Sequence, residues 1–374
     1  MKIGIFTYHR ALNYGAVLQA YALSRVLSDQ GHDVKVIDYW SSQHSSFYSI
    51  SPFSVFLKRN LTLAKKIKLF LLIIISFPIK YLRKKKFAFF LKKKFAISGS
   101  PKYVQGINIL DNCDLYIYGS DQIWWYDDFL SFDWFDRVYW WDFPITNAKK
   151  ISYAASMWFV SLDSQKIFFI KQHLLNFHAI SVREEQLKTA IQWLTDKPVE
   201  KVLDPVFLLS GQQWTALLNL KKPKKRYVLL YDFLGSKNAK ILAKNIANFF
   251  NIELLEISRN LSFFSIFNAN KHSVPSVSQF LDILYGAEFI VTSSFHGLAF
   301  SIIFKKNFYV LDMWKSSNRA VDLLDMVGLI TRYINDINLI NKTPEPVHYS
   351  WVSEIINFYQ NKSLAFLFEH IWSI

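Results

Sequence analysis

Within its first forty residues the chain places an apolar strand, a glycine-opened helix and a second apolar strand, and few architectures accommodate that order. Residues 3–8 read as the first strand and 9–14 as a loop. Gly15 then opens a helix in which Ala16, Ala20, Leu23 and Leu27 recur at helical spacing. Gly31 is placed to end that helix as a left-handed cap, and residues 34–39 form the next strand. Two strands joined by a helix lie parallel in one sheet, which predicts an α/β fold.

The same alternation continues. Strands are expected at 115–118, 151–155 and 179–182, with a strand-and-turn element over 199–209. A second series has strands at 227–232, 253–257, 289–292 and 308–312, with helices at 237–250, 277–285 and from 294 onward. Residues 210–226, ending in a basic run around Pro223, read as a linker. The expectation is two Rossmann-like domains, 1–210 and 211–374, facing a cleft at the carboxyl ends of their strands.

Charge is concentrated in one place. Thirteen Lys and Arg fall within residues 57–95, which hold no Asp or Glu, against a net charge of +15 for the whole chain. The same stretch carries the apolar run 69–79, too short for the roughly 20 residues that span a bilayer, and Pro78 is expected to break a long helix. A basic, Phe-rich helical insertion over about 48–97 therefore suits the inner-leaflet membrane surface, with residues 57–95 as the contact. No nucleic-acid module accompanies the charge, so no nucleic-acid partner is expected. Cys113 is the only cysteine and reads as a small buried hydrophobe. With no signal peptide evident after Met1, a cytoplasmic location is expected, peripheral to the plasma membrane.

The residues suited to chemistry cluster where strands give way to helices. Ser293, Ser294 and His296 lie at such a turn, which offers an anion site backed by the helix dipole and one group able to transfer a proton near neutral pH. Asn13, Tyr14 and Gln19 occupy the corresponding turn of the first domain, and the loop lacks the glycine pattern of a dinucleotide site. Asp121 and Gln122, beside Trp124 and Trp125, close another strand and suit a sugar. Arg183 and Arg319 suit carboxylate or phosphate. The nine histidines show no metal-ligand spacing, so neither metal nor cofactor is expected.

Taken together, residues 7–23, Tyr118 to Trp124, Ser152 to Ser156, Ser181 to Glu184, Leu203 to Leu209, Thr292 to Gly297, and Arg319 with Asp322 and Gly328 resemble the polysaccharide pyruvyl transferase family, in order along residues 3–332. The resemblance implies a fold like that of GT-B glycosyltransferases. It implies phosphoenolpyruvate as co-substrate, a sugar of a cell-surface polysaccharide precursor as acceptor, and a pyruvate ketal as product. The roles that follow are His296 as acid, Arg183, Arg319, Ser293 and Ser294 on the donor, and Asp121 with Asn13, Tyr14, Gln19 and Gln122 on the acceptor; the basic insertion suggests a lipid-linked sugar. Two alternatives stay open: a nucleotide-sugar glycosyltransferase of the same fold, and a non-catalytic, membrane-associated scaffold of polysaccharide assembly.

Overall fold

The computed structural model describes residues 1–39, 63–102, 113–125, 135–140, 148–157, 163–232, 234–258, 274–311, 317–335 and 343–372; for 63–66, 68, 69, 71–73, 75, 99–102, 258 and 317 it describes the backbone only. Lys58 and Arg59 of the basic stretch lie outside the described residues. The chain divides into two compact units. The first comprises Met1–Ser45, Leu91–Leu209 and Ser353–Ile374, and the second comprises Ser46–Phe90 and Ser210–Val352.

The first unit is built on seven parallel strands: β1 (Lys2–Phe6), β2 (Asp33–Tyr39), β3 (Ile97–Lys102), β4 (Leu115–Asp121), β5 (Lys149–Ala155), β6 (Ala179–Val182) and β7 (Val199–Lys201). Their order is β3-β2-β1-β4-β5-β6-β7, so the strand order reverses between β1 and β4. The expected opening βαβ unit is present. Helix α1 (Tyr14–Asp29) is capped by Asn13, whose Oδ1 accepts from the Gly15 amide at 2.9 Å. It ends where Gly31 adopts φ +82°, a conformation that glycine enters without a Cβ penalty. Nearly all of α1 is buried, which explains why its apolar residues extend beyond a single stripe. The C-terminal helix Tyr349–Trp372 packs with this unit through its later turns: Ser363 Oγ accepts from the Leu203 amide, and Gln360 donates to the Phe207 carbonyl.

Helix α2 (Leu63–Lys94) contains Pro78 in its interior. The expectation that Pro78 ends the helix is thus corrected. Proline removes one backbone hydrogen bond, a cost of about 3 kcal/mol, and burial of Ile79, Phe87 and Phe90 anchors the turns that follow it. Most of α2 belongs to the second unit, whereas helices α3 (Ser164–Leu174) and α4 (Glu185–Gln192) belong to the first.

The second unit opens on a further correction. Within the stretch read as a linker, residues 211–218 form helix α5 (Gly211–Leu218), because Ser210 and Gln213 make a reciprocal capping box and Trp214 is fully buried against Phe300. Five parallel strands follow: β8 (Tyr227–Asp232), β9 (Glu253–Ser258), β10 (Phe289–Thr292), β11 (Asn307–Leu311) and β12 (Tyr333–Ile334), in the order β12-β11-β10-β8-β9. Between them run α6 (Lys237–Phe250), α7 (Val277–Gly286), α8 (Phe295–Ile303) and α9 (Ser317–Met326). Helix α6 buries Ala239, Leu242, Ala243 and Ile246 against Val228 and Leu230 of β8 and Val291 of β10, with Phe289 and Tyr309 in the same core. Here the order reverses between β8 and β10. In parallel α/β sheets the crevice at such a reversal is where ligands bind, so each unit presents one candidate edge.

Candidate functional site

In the second unit, β8 and β10 end beside one another. Thr292 Oγ1 donates to the Tyr231 carbonyl at 2.8 Å and accepts from the Ser294 amide at 3.1 Å, fixing the turn into α8. Ser294 is the N-cap of α8, with its hydroxyl accepting from the Gly297 amide, and Ser293 Oγ donates to Asp232 Oδ1. Asp232 Oδ1 also accepts from the Leu234 amide at 2.9 Å, while Oδ2 accepts from the Ser236 amide. Both serine hydroxyls therefore brace the turn. An anion here would meet the amide end and positive dipole of α8.

His296 sits in the first turn of α8 and is buried. Its ring packs edge-on to Phe295 at 5.3 Å, and the Arg319 guanidinium stands 5.8 Å from the centre of that same Phe295 ring. His296, Ser293, Ser294 and Arg319 are thus brought together within one unit. Asp232 was not among the residues singled out from sequence. Its signal was available: an acidic residue ending the first strand of the second series, ahead of a Gly-Ser turn.

Gly297 explains how tightly this turn is built. A Cβ at position 297 would stand 2.3 Å from Thr292 Oγ1 and 3.0 Å from the Tyr231 ring. The Thr292 hydroxyl is held by two hydrogen bonds and does not swing aside. Gly297→Ala is therefore expected to lower stability by about 1–3 kcal/mol, read as a lower melting temperature, with a larger loss of turnover than of stability because the turn carrying His296 shifts.

In the first unit Gln19, Arg183 and Asp121 are joined by a continuous run of hydrogen bonds along the carboxyl edge. Gln19 Nε2 donates to Thr7 Oγ1 at 2.8 Å, and Thr7 Oγ1 donates to the Ser120 carbonyl at 2.9 Å. Ser120 Oγ donates to Asp204 Oδ2, which also accepts from Arg183 Nη1 at 2.5 Å. Arg183 Nε reaches Glu184 Oε1 at 2.9 Å, and its Nη2 reaches Ser156 Oγ at 2.9 Å. The Ser156 amide closes the run on the Asp121 carbonyl at 3.1 Å. Strands β4, β5, β6 and β7 are tied at one end by this network. Tyr8 OH adds a bond to the Gln122 carbonyl at 3.1 Å.

This geometry revises several expectations. Arg183 is 5% exposed and its fork faces Glu184, Asp204 and Ser156. Burial pulls its pKa down, but the two carboxylates outweigh that and raise it. It organises the edge through neighbouring side chains. Gln19 is fully buried and bonds Thr7, Asn13 caps α1, and Tyr14 is buried in the first turn of that helix. Trp124 is buried as well, stacked on Trp140 at 4.6 Å, so it forms core beneath Asp121. Asp121 and Gln122 remain half-buried at the edge.

Asp121 adopts φ +80° and Ala154, on the adjacent strand, φ +53°. Non-glycine residues held in this region store roughly 1–3 kcal/mol each and cluster at functional sites. A second cluster went unrecognised in the sequence. Arg10 and His9 both bond Asp38, which is 2% exposed. Burial pushes the Asp38 carboxyl up, yet the bonds from Arg10 and His9 outweigh it and hold its pKa below the usual carboxylate range. Asp38 is thereby engaged within the fold.

The family model for polysaccharide pyruvyl transferases matches residues 13–314. No curated protein sequence matches the chain. Among solved structures, UDP-GlcNAc 2-epimerase from Methanocaldococcus jannaschii shares 11% identity over 96% of this chain and 93% of its own, with a TM-score of 0.42. A UDP-glucosyltransferase from Polygonum tinctorium shares 11% over 97% and 94%, with a TM-score of 0.42. UDP-GlcNAc 2-epimerase from Neisseria meningitidis shares 11% over 97% and 94%, with a TM-score of 0.43.

Proposed function

Because the chain belongs to the polysaccharide pyruvyl transferase family, we propose that it transfers the enolpyruvyl group of phosphoenolpyruvate to a sugar of a cell-surface polysaccharide precursor, forming a pyruvate ketal. The observation that carries the reading is the α8 turn, where a buried histidine, an amide-rich helix start and an arginine occur together.

The chemistry asks for those groups. A proton adds to the methylene carbon of phosphoenolpyruvate, and a sugar hydroxyl bonds to the adjacent carbon and loses its proton. Phosphate leaves with the electrons of its C–O bond, and a second hydroxyl closes the ketal with loss of its proton. One phosphoenolpyruvate and one diol give one ketal and inorganic phosphate. His296 supplies the first proton. The amide end of α8 and Arg319 meet the phosphate and carboxylate, with Ser293 and Ser294 keeping the turn in shape. Asp121 orients or deprotonates an acceptor hydroxyl, with Gln122 beside it. Asn13, Tyr14 and Gln19 hold the loop behind them, and Arg183 holds the strand ends.

Ligand-dependent melting separates this reading from a nucleotide-sugar transferase. Saturating phosphoenolpyruvate is expected to raise the melting temperature by roughly 3–4 °C, the effect of about a hundredfold excess over Kd on a protein of this size. A rise with UDP-sugars and none with phosphoenolpyruvate overturns the proposal.

A further inference from the structure

The described side chains of α2 divide by face. Ile67, Phe70, Ile74, Phe77 and Tyr81 follow one another at spacings of three and four, which places them along one side of a helix, and with Leu82 they are 42% to 53% exposed. Further along the helix, Lys84, Lys85, Lys92 and Lys93 are exposed, the first three of them on the same side. The other side holds the buried Ile79, Phe87 and Phe90, and there Lys86 Nζ donates to the Val274 carbonyl at 2.8 Å. The helix is thus fixed by one face and shows another that is apolar over about 22 Å and then basic.

We propose that this face lies on the surface of an anionic lipid bilayer, in the plane of the membrane. Ile67 to Leu82 would enter the boundary between headgroups and acyl chains, and the four lysines would lie over lipid phosphates. Among the described residues no helix is long and apolar enough to cross a membrane, so contact is by the face alone. The charge distribution selects this occupant over a second copy of the chain. Spacings of three and four also suit a coiled-coil seam, but continuing the seam reaches Lys84. With no Asp or Glu anywhere in residues 57–95, two such helices repel each other.

Flotation of the full-length chain with vesicles tests the assignment. Binding is expected to phosphatidylcholine vesicles containing about 30% phosphatidylglycerol and to fall with salt. Combining Lys84→Gln, Lys85→Gln, Lys92→Gln and Lys93→Gln is expected to weaken it about a thousandfold. Ile74→Ser with Phe77→Ser is expected to weaken it at least tenfold. Phosphate release from phosphoenolpyruvate with a soluble acceptor, read in parallel, is expected to stay unchanged. If the four-site variant does not fold, Lys84→Gln with Lys85→Gln alone, which changes no buried residue, carries the same test. Equal binding to uncharged vesicles overturns the proposal. So does a serine variant that loses self-association, or capture of an acidic protein, while vesicle binding is unchanged.

Discussion

Replacing His296 by alanine is expected to lower phosphate release from phosphoenolpyruvate by roughly 10²- to 10⁴-fold, the contribution of a positioned general acid. The methylene carbon of the donor is a poor base, so the first proton transfer is the step least able to proceed without an acid held in place. His296 is held in place: it lies in the first turn of α8, buried, with its ring against Phe295 and Phe295 in turn under Arg319. The loss should appear in kcat more than in KM. Arg319→Lys, which keeps the charge and loses the planar fork, should show the opposite split, raising KM for phosphoenolpyruvate with a smaller fall in kcat. Circular dichroism and melting of His296→Ala should remain close to the parent, because the turn is braced by Thr292, Ser293 and Ser294. Near-normal turnover in a folded His296→Ala protein removes the assignment.

Arg183→Ala is expected to act in the other direction, on the fold before the chemistry. Arg183 stands between Asp204, with no side-chain exposure, and Glu184, at 8%. Removing it leaves two buried carboxylates without their counter-charge, a loss of about 3–5 kcal/mol and a fall in melting temperature of roughly 4–6 °C. Arg183→Lys retains one charge but cannot reach Glu184, Asp204 and Ser156 together, so only partial recovery is expected. Activity should fall in step with the folded fraction, as suits a residue that holds the ends of β6 and β7. A well-folded Arg183→Ala protein with a raised KM for phosphoenolpyruvate would restore the direct contact suggested by its sequence alone.

The contrast between these two residues marks how far the sequence could be read. The turn around His296 was legible because its determinants are local: apolar residues 289–291, two serines able to cap, and a glycine where the helix begins. The opening βαβ unit was legible for the same reason. The partners of Arg183 were not, since Asp204 lies 21 residues away and meets it only when β6 and β7 pair. Ser120, Ser156, Glu184 and Asp204 each resemble ordinary strand-end residues until the sheet places them in one network.

Elsewhere the misreadings came from weighing one local preference alone. Pro78 disfavours a helix interior, yet buried residues on its C-terminal side hold the turns beyond it. The basic run near Pro223 suggested a linker, while the capping box at Ser210 and the burial of Trp214 form a helix just before it. Asn13 and Gln19 had the side chains to bind a sugar, and the fold uses them as a cap and a buried bond to Thr7.

The most direct measurement pairs phosphate release with product NMR, using the full-length chain, phosphoenolpyruvate and a panel of synthetic or lipid-linked sugars bearing neighbouring hydroxyls. The account predicts that at least one acceptor yields inorganic phosphate and a new ketal methyl signal in equal amounts, and that both vanish together in His296→Ala. Consumption of a nucleotide sugar, with no phosphate released from phosphoenolpyruvate against any acceptor, would contradict it.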